Sequence, residues 1–146
     1  MTPVCLALYK GPGIFPGSHL IRFWTKSPYS HCELAVGDQC FSSSLMDGGV
    51  RQKTIALTSD KWDLIPLPWA SAADVLLHFN LTKDQPYDWW ALIGSQIFNR
   101  RSEDADAAFC SEWCAAALGL PNAETFSPQT LADYCRFAGG GKHANC

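Results

Sequence analysis

The hydrophobic period of this 146-residue chain changes between Leu67 and Ser71, and that change does most to limit what the chain can fold into. Before it, short runs rich in β-branched and aromatic residues are separated by Gly, Pro, Asp and Ser: VCLALY (4–9), LIRFW (20–24), HCELAV (31–36), QCFSS (39–43), KTIAL (53–57) and WDLIPL (62–67). Runs of this kind form strands. The GDQ step at 37–39 turns one run back on the next, which makes 31–43 an expected hairpin.

Beyond the change the pattern is helical. SAADVLLHFNL offers Ser71 as an N-cap, YDWWALIGSQIF is apolar on all sides, and SPQTLADYCRFAGGG has Ser127 as N-cap, Pro128 at the first helical position and glycines at its end. A further helix, CSEWCAAALGLP, is alanine-rich and stopped by Gly119 and Pro121, so it is expected to begin at or just before Cys110. The segments NRRSEDADAA (99–108) and GGGKHANC (139–146) are expected as loose chain, the first a solvated loop able to border a cleft as a lid. Strands followed by helices, without strand–helix–strand alternation, predict a single α+β domain over residues 1–146.

Composition narrows the function classes. Hydrophobic residues make up 47% and charged residues 17%, too apolar for a disordered chain, yet no stretch approaches the roughly 18 uninterrupted apolar residues of a membrane span. A net charge of −3, with no basic run longer than Arg100–Arg101, gives no footprint for nucleic acid. The start lacks a basic region ahead of its apolar run, so no signal peptide is expected and the predicted location is cytoplasmic. Seven cysteines, an odd number in a chain long enough to fold without staples, are expected as reduced thiols.

Two stretches place reactive side chains where a core would be expected: YSHCELAV (29–36) and FCSEWCAAALGL (109–120). A cysteine at a helix N-terminus has its thiolate stabilised by unpaired N–H groups and the helix dipole, and the same groups can hold an oxyanion. Cys110 is therefore a candidate nucleophile, against the blander reading of a small apolar core residue. In an alternating strand His31 and Glu33 share one face and Cys32 and Leu34 the other. A carboxylate two residues along can hold one ring nitrogen of the histidine and leave the other to take a thiol proton.

These residues, with the hairpin into CFSSS and with PYDWWALIG, resemble the circularly permuted NlpC-type, papain-like hydrolases, in which the histidine strand precedes the cysteine helix. The likeness spans about residues 20–120, and the whole string, SSSLMDGGVR (42–51) included, also resembles small phage- and prophage-encoded proteins. The family implies an antiparallel sheet or small barrel packed against helices. It further implies Cys110 as nucleophile, His31 as general base and then acid, and no cofactor or metal. Its third, orienting residue usually lies on the strand after the histidine, where this chain has Ser42 and Ser43; Glu33 stands where relatives often have glycine and ranks above them, because a carboxylate also stabilises an imidazolium. The resemblance suggests Tyr87 as a hydroxyl donor to the oxyanion, and Ser30 and Trp24 lie near the histidine strand.

The implied reaction is acyl transfer through a thioester, on an amide in a peptidoglycan stem peptide. A phage-type enzyme acting on the cell wall would need an export route other than a signal peptide. Rival readings are a lipid-directed acyl hydrolase or acyltransferase, a silent binding protein on the same scaffold, and a zinc module drawing on Cys110, Cys114, Cys32, Cys40 and His31. Paired C-x2-C ligands, usual in structural zinc sites, are missing from the sequence.

Overall fold

The computed structural model describes residues 2–11, 28–44, 47–85 and 102–139, the last of these with side chains from Phe109 onward. Among these residues five strands, β1 (Val4–Tyr9), β2 (His31–Val36), β3 (Gln39–Ser44), β4 (Gly49–Thr54) and β5 (Trp62–Pro66), form one sheet in the order β4-β3-β2-β1-β5. Every pairing is antiparallel. Three α-helices accompany the sheet among the described residues: α1 (Ala72–Thr82), α2 (Ser102–Ala117) and α3 (Pro128–Ala138). The class is α+β, as the change of period implied. Among the described residues the sheet is open, with β4 and β5 at its edges, rather than closed into the small barrel that was the alternative.

The β2–β3 hairpin forms where the sequence placed it. Gly37 adopts φ +63° in the two-residue turn, a conformation that glycine enters without a Cβ clash. The strand expected at 53–57 instead runs from Gly49 to Thr54. Its register explains the shift: Thr54 pairs with Gln39, the first residue of β3, so Ile55 has no further backbone to pair with. Ile55 and Leu57 pack as side chains against Cys5, Ala35 and Cys40. The LIRFW run, the YDWWALIGSQIF helix and the tail from residue 140 lie outside the described residues.

Alternation divides the sheet into two faces. Val4, Leu6 and Leu8 of β1 meet Cys32, Leu34 and Val36 of β2, and Phe41 of β3 joins them under the helices. Leu6, Leu8 and Leu34 have no exposed surface, and full burial of such a side chain contributes about 1.5–3 kcal/mol. From α2 come Cys110, Trp113, Cys114, Ala115 and Ala117, and from α3 Leu131, Ala132 and Cys135. Residues 31, 33 and 35 point to the other face.

The largest departure from expectation is the start of α2. The helix begins at Ser102, so residues 102–108 are helical rather than a solvated loop or lid, and Cys110 lies about two turns inside the helix. Acidic residues 103, 104 and 106 fall in the first turns, where the helix dipole favours negative charge, and the alanines that follow propagate the helix. The cysteines also depart in part: Cys32, Cys40, Cys110, Cys114 and Cys135 lie outside any disulfide, whereas Cys5 is disulfide-bonded.

The caps of α1 and α3 follow the sequence. Ser71 Oγ accepts from the Asp74 N–H at 3.3 Å. Ser127 and Thr130 form a reciprocal capping box, with the Thr130 N–H donating to Ser127 Oγ at 3.2 Å and the Ser127 N–H donating to Thr130 Oγ1 at 2.8 Å. Ser127→Ala is expected to lower stability by about 1 kcal/mol in urea denaturation, with Ser127→Gly losing less.

Candidate active site

The site forms where β3 parts from β2. Pairing between them covers only Leu34 with Phe41, Ala35 with Cys40 and Val36 with Gln39, while Ser42 to Ser44 continue against β4 alone. Extending the register would set Cys32 opposite Ser43. Instead the backbone of Cys32 is satisfied from elsewhere: Ser42 Oγ donates to its carbonyl at 2.8 Å, and its N–H donates to the sulfur of Cys110. Helix α2 packs across both strands at this opening.

That opening resolves a conflict posed by alternation. Cys32 belongs to the helix-covered face, and its Sγ lies 3.6 Å from Cys110 Sγ. His31 belongs to the opposite face, yet it is hydrogen-bonded to Cys110. The sulfur, sitting at the unpaired edge of β2, is within reach of both. The nearly eighty residues between His31 and Cys110 are bridged by seating α2 across a sheet edge that β3 has vacated.

Beyond His31 the chain of contacts continues through charge. Nε2 of the ring meets Glu33 Oε1 at 2.7 Å. Glu33 is fully buried and is also gripped by Arg51, whose Nη1 donates to Oε2 at 2.5 Å and whose Nη2 donates to Oε1. Arg51 Nε in turn donates to Asp47 Oδ2 at 2.9 Å, and Lys53 Nζ to Asp47 Oδ1 at 2.6 Å. A carboxylate without solvent is sustained here by two cationic neighbours and a two-pronged guanidinium grip.

The ionisation of these groups follows from their contacts. Burial alone would raise the Cys110 thiol, but the Cys32 thiol donating to it, the charged His31 ring and the Cys32 N–H lower it to about 6 from an ordinary 9.0. Burial opposes charge on His31, yet the Cys110 thiolate and Glu33 hold its pKa well above the usual 6.5. For Glu33, burial pushes upward and is outweighed by His31 and Arg51, which leave the carboxyl below 4.5. Cys32 is pushed well above 9.0, first by burial and then by its bonds to Cys110 and Cys114, so it remains a protonated donor. The resulting state near neutral pH is a Cys110 thiolate beside a His31 imidazolium.

Cys110, His31 and Glu33 are thus brought together. The reason given for Cys110 at the sequence level is replaced: its N–H lies inside α2, so neither a helix terminus nor its unpaired N–H groups act on the sulfur, and the lowered pKa comes from His31 and Cys32. Ser42 is spent on the Cys32 carbonyl. Ser43 is buried on β3, and the N–H of Ser30 donates to the Tyr9 carbonyl at 3.1 Å, structural duties at the edge of the site. Tyr87 and Trp24 lie outside the described residues. Arg51 was missed, although Asp47-Gly48-Gly49 signals a turn that sets Arg51 opposite Ser42, on the face of Glu33. Cys32 was missed as a member because alternation directs it away from His31.

Among the described residues no group of three or more His, Cys, Asp or Glu is arranged to hold a metal ion. Cys40 packs with Cys5 and Ala35 in a separate cluster. An open groove of about 320 Å³ lies by Cys5, Ala35, Asp38, Cys40 and Leu64, and its lining includes neither Cys110 nor His31. No family model, curated protein or solved structure matches the chain.

Ultraviolet thiolate absorbance, taken as the difference between the wild type and Cys110→Ser, should titrate with a midpoint near 6, and His31→Ala should move that midpoint upward. Glu33→Gln, which strips a buried pair of its anion, should lower stability at neutral pH by about 3–5 kcal/mol in chemical denaturation. A depressed carboxyl stabilises the fold above its unfolded pKa, and that contribution is lost as pH falls through the folded value. The gap between wild type and Glu33→Gln should therefore narrow below pH 4.5.

Proposed function

We propose that the chain is a cysteine hydrolase that cleaves an amide through a thioester on Cys110, and that its fold is the circularly permuted papain-like one. The observation that carries this reading is the hydrogen-bonded Cys110–His31 pair with Glu33 holding the same ring through Nε2. The chain order, histidine strand first and cysteine helix later, supports the permuted form.

In the proposed reaction the Cys110 thiolate attacks the carbonyl carbon. His31, already an imidazolium, gives its proton to the departing amine as the tetrahedral intermediate collapses to a thioester. The neutral ring then takes a proton from water, which attacks the thioester and regenerates the thiolate. Glu33 fixes the ring through Nε2 and offsets its charge in each cationic stage, while Arg51 holds Glu33 ionised and in place. The proposed substrate is a peptide amide of the peptidoglycan stem type, in line with the sequence resemblance.

One observation favours a second reading, a silent binding protein on this scaffold. Cys110 has no exposed surface, and the part of the trio open to solvent is the His31 ring, 17% exposed. A carbonyl must approach past that ring, with neighbouring side chains moving aside.

A panel of muropeptides and lipid esters, assayed with wild type and Cys110→Ala, separates the readings. Amine release from the peptides, abolished in Cys110→Ala and lowered about 100- to 10,000-fold in His31→Ala, is expected. The kcat/KM profile should rise through about pH 6 as Cys110 ionises, and fall again above the ordinary histidine range as His31 loses its proton. Turnover of lipid esters alone would move the substrate class. Tight peptide binding without turnover or an acyl adduct would establish the silent scaffold.

A further inference from the structure

Cys32 makes and breaks no bond to substrate in the proposed hydrolysis, where it only donates to the Cys110 sulfur, yet it is the second thiol at the site. Its Sγ lies 3.6 Å from Cys110 Sγ, both residues are fully buried, and both remain outside any disulfide. A third thiol, Cys114, stands one turn further along α2 and approaches the Cys32 carbonyl at 3.9 Å. Two sulfurs already in van der Waals contact need little movement to bond, and no backbone pairing restrains β2 on the β3 side at Cys32.

We propose that Cys110 and Cys32 form a reversible disulfide, with Cys110 as the site of attack on a hydroperoxide and Cys32 as the resolving thiol. The Cys110 thiolate attacks the distal oxygen of the hydroperoxide; an S–O bond forms, the O–O bond breaks, and the departing alkoxide or hydroxide takes a proton from the His31 imidazolium. Cys110 is then a sulfenic acid. The Cys32 sulfur attacks the Cys110 sulfur, the S–S bond forms, the S–O bond breaks, and hydroxide leaves with the Cys32 proton as water. The two thiols together lose two electrons, and the hydroperoxide is reduced to an alcohol and water. A dithiol reductant reverses the cross-link by thiol–disulfide exchange.

The geometry selects this pair over others. Cys40 is packed on the opposite face with Ala35, and Cys135 belongs to α3. The contacts that keep Cys110 anionic also make it the thiol most readily oxidised, since sensitivity follows thiolate character. An adjacent resolving thiol diverts the sulfenic acid from irreversible sulfinic acid. Hydrogen peroxide, little larger than water, suits a sulfur enclosed as Cys110 is.

The proposal stands apart from the hydrolase reading, because its readout is a covalent bond rather than turnover. Full-length protein is treated with hydrogen peroxide and digested with a glutamyl endopeptidase, whose cuts after Glu33, Glu103 and Glu112 place Cys32, Cys40, Cys110 and Cys114 on separate peptides. Wild type should lose two hydrogens on peroxide treatment and yield a cross-link between the peptide of Cys32 and that of Cys110, which fragmentation assigns to Cys32 rather than to the already disulfide-bonded Cys5, and the cross-link should open on adding dithiol. Cys114→Ser should behave in the same way. Cys32→Ser should not form the cross-link, should trap a dimedone adduct at Cys110, and should proceed to sulfinic acid. A wild-type cross-link from Cys32 to Cys114 would overturn the proposal. So would Cys110 passing to sulfinic acid as fast in wild type as in Cys32→Ser, or Cys110 left unmodified while peroxide oxidises other cysteines. The wild-type mapping decides the matter even where Cys32→Ser folds poorly.

Discussion

A carboxylate with no exposed surface governs the architecture around Cys110. Glu33 is tolerable inside the sheet only because Arg51 grips it with two donors and His31 with a third. Each of those partners is fixed by a different piece of secondary structure. His31 lies on the same strand as Glu33, while Arg51 is delivered by β4, two strands away, through the register of the β3–β4 hairpin. The requirement to neutralise one buried charge thus ties three strands to a common geometry, and the histidine orientation follows from it.

The thiolate has a local origin of the same kind. A helix N-terminus is the familiar means of acidifying a cysteine, and α2 does not use it, since Cys110 lies well inside the helix. The sulfur is acidified sideways, by the charge of His31 and by two donors on Cys32, one from its side chain and one from its backbone. The backbone donor is available because β3 stops pairing at Leu34, and the thiol donor because Cys32 faces the helices. A departure from regular sheet structure, rather than a helix end, creates the electrostatic environment of the sulfur.

Much of this was legible in the sequence, and the illegible parts share a cause. The hairpin turn at Gly37, the caps at Ser71 and Ser127, and the buried strands are written in local residue choices, and local rules recover them. The trio of Cys110, His31 and Glu33 could be assembled because its members stand in two short, chemically dense stretches. The start of α2 was misplaced because acidic residues suit both a solvated loop and a helix N-terminus, and composition alone does not decide between them. Arg51 and Cys32 gain their roles from register and from an interrupted pairing. Neither is a property of any short stretch, so a reading by segments passes over them.

The interruption between β2 and β3 also bears on how this chain could be improved by design. Stabilising substitutions are usually sought by completing ladders and burying backbone polar groups, a strategy that would zip Ser43 onto Cys32. Success would tighten the sheet and close the notch in which the sulfur, the imidazole and the second thiol converge. The best-ordered version of this fold would part the sulfur from its neighbours, exchanging those contacts for a few more backbone hydrogen bonds.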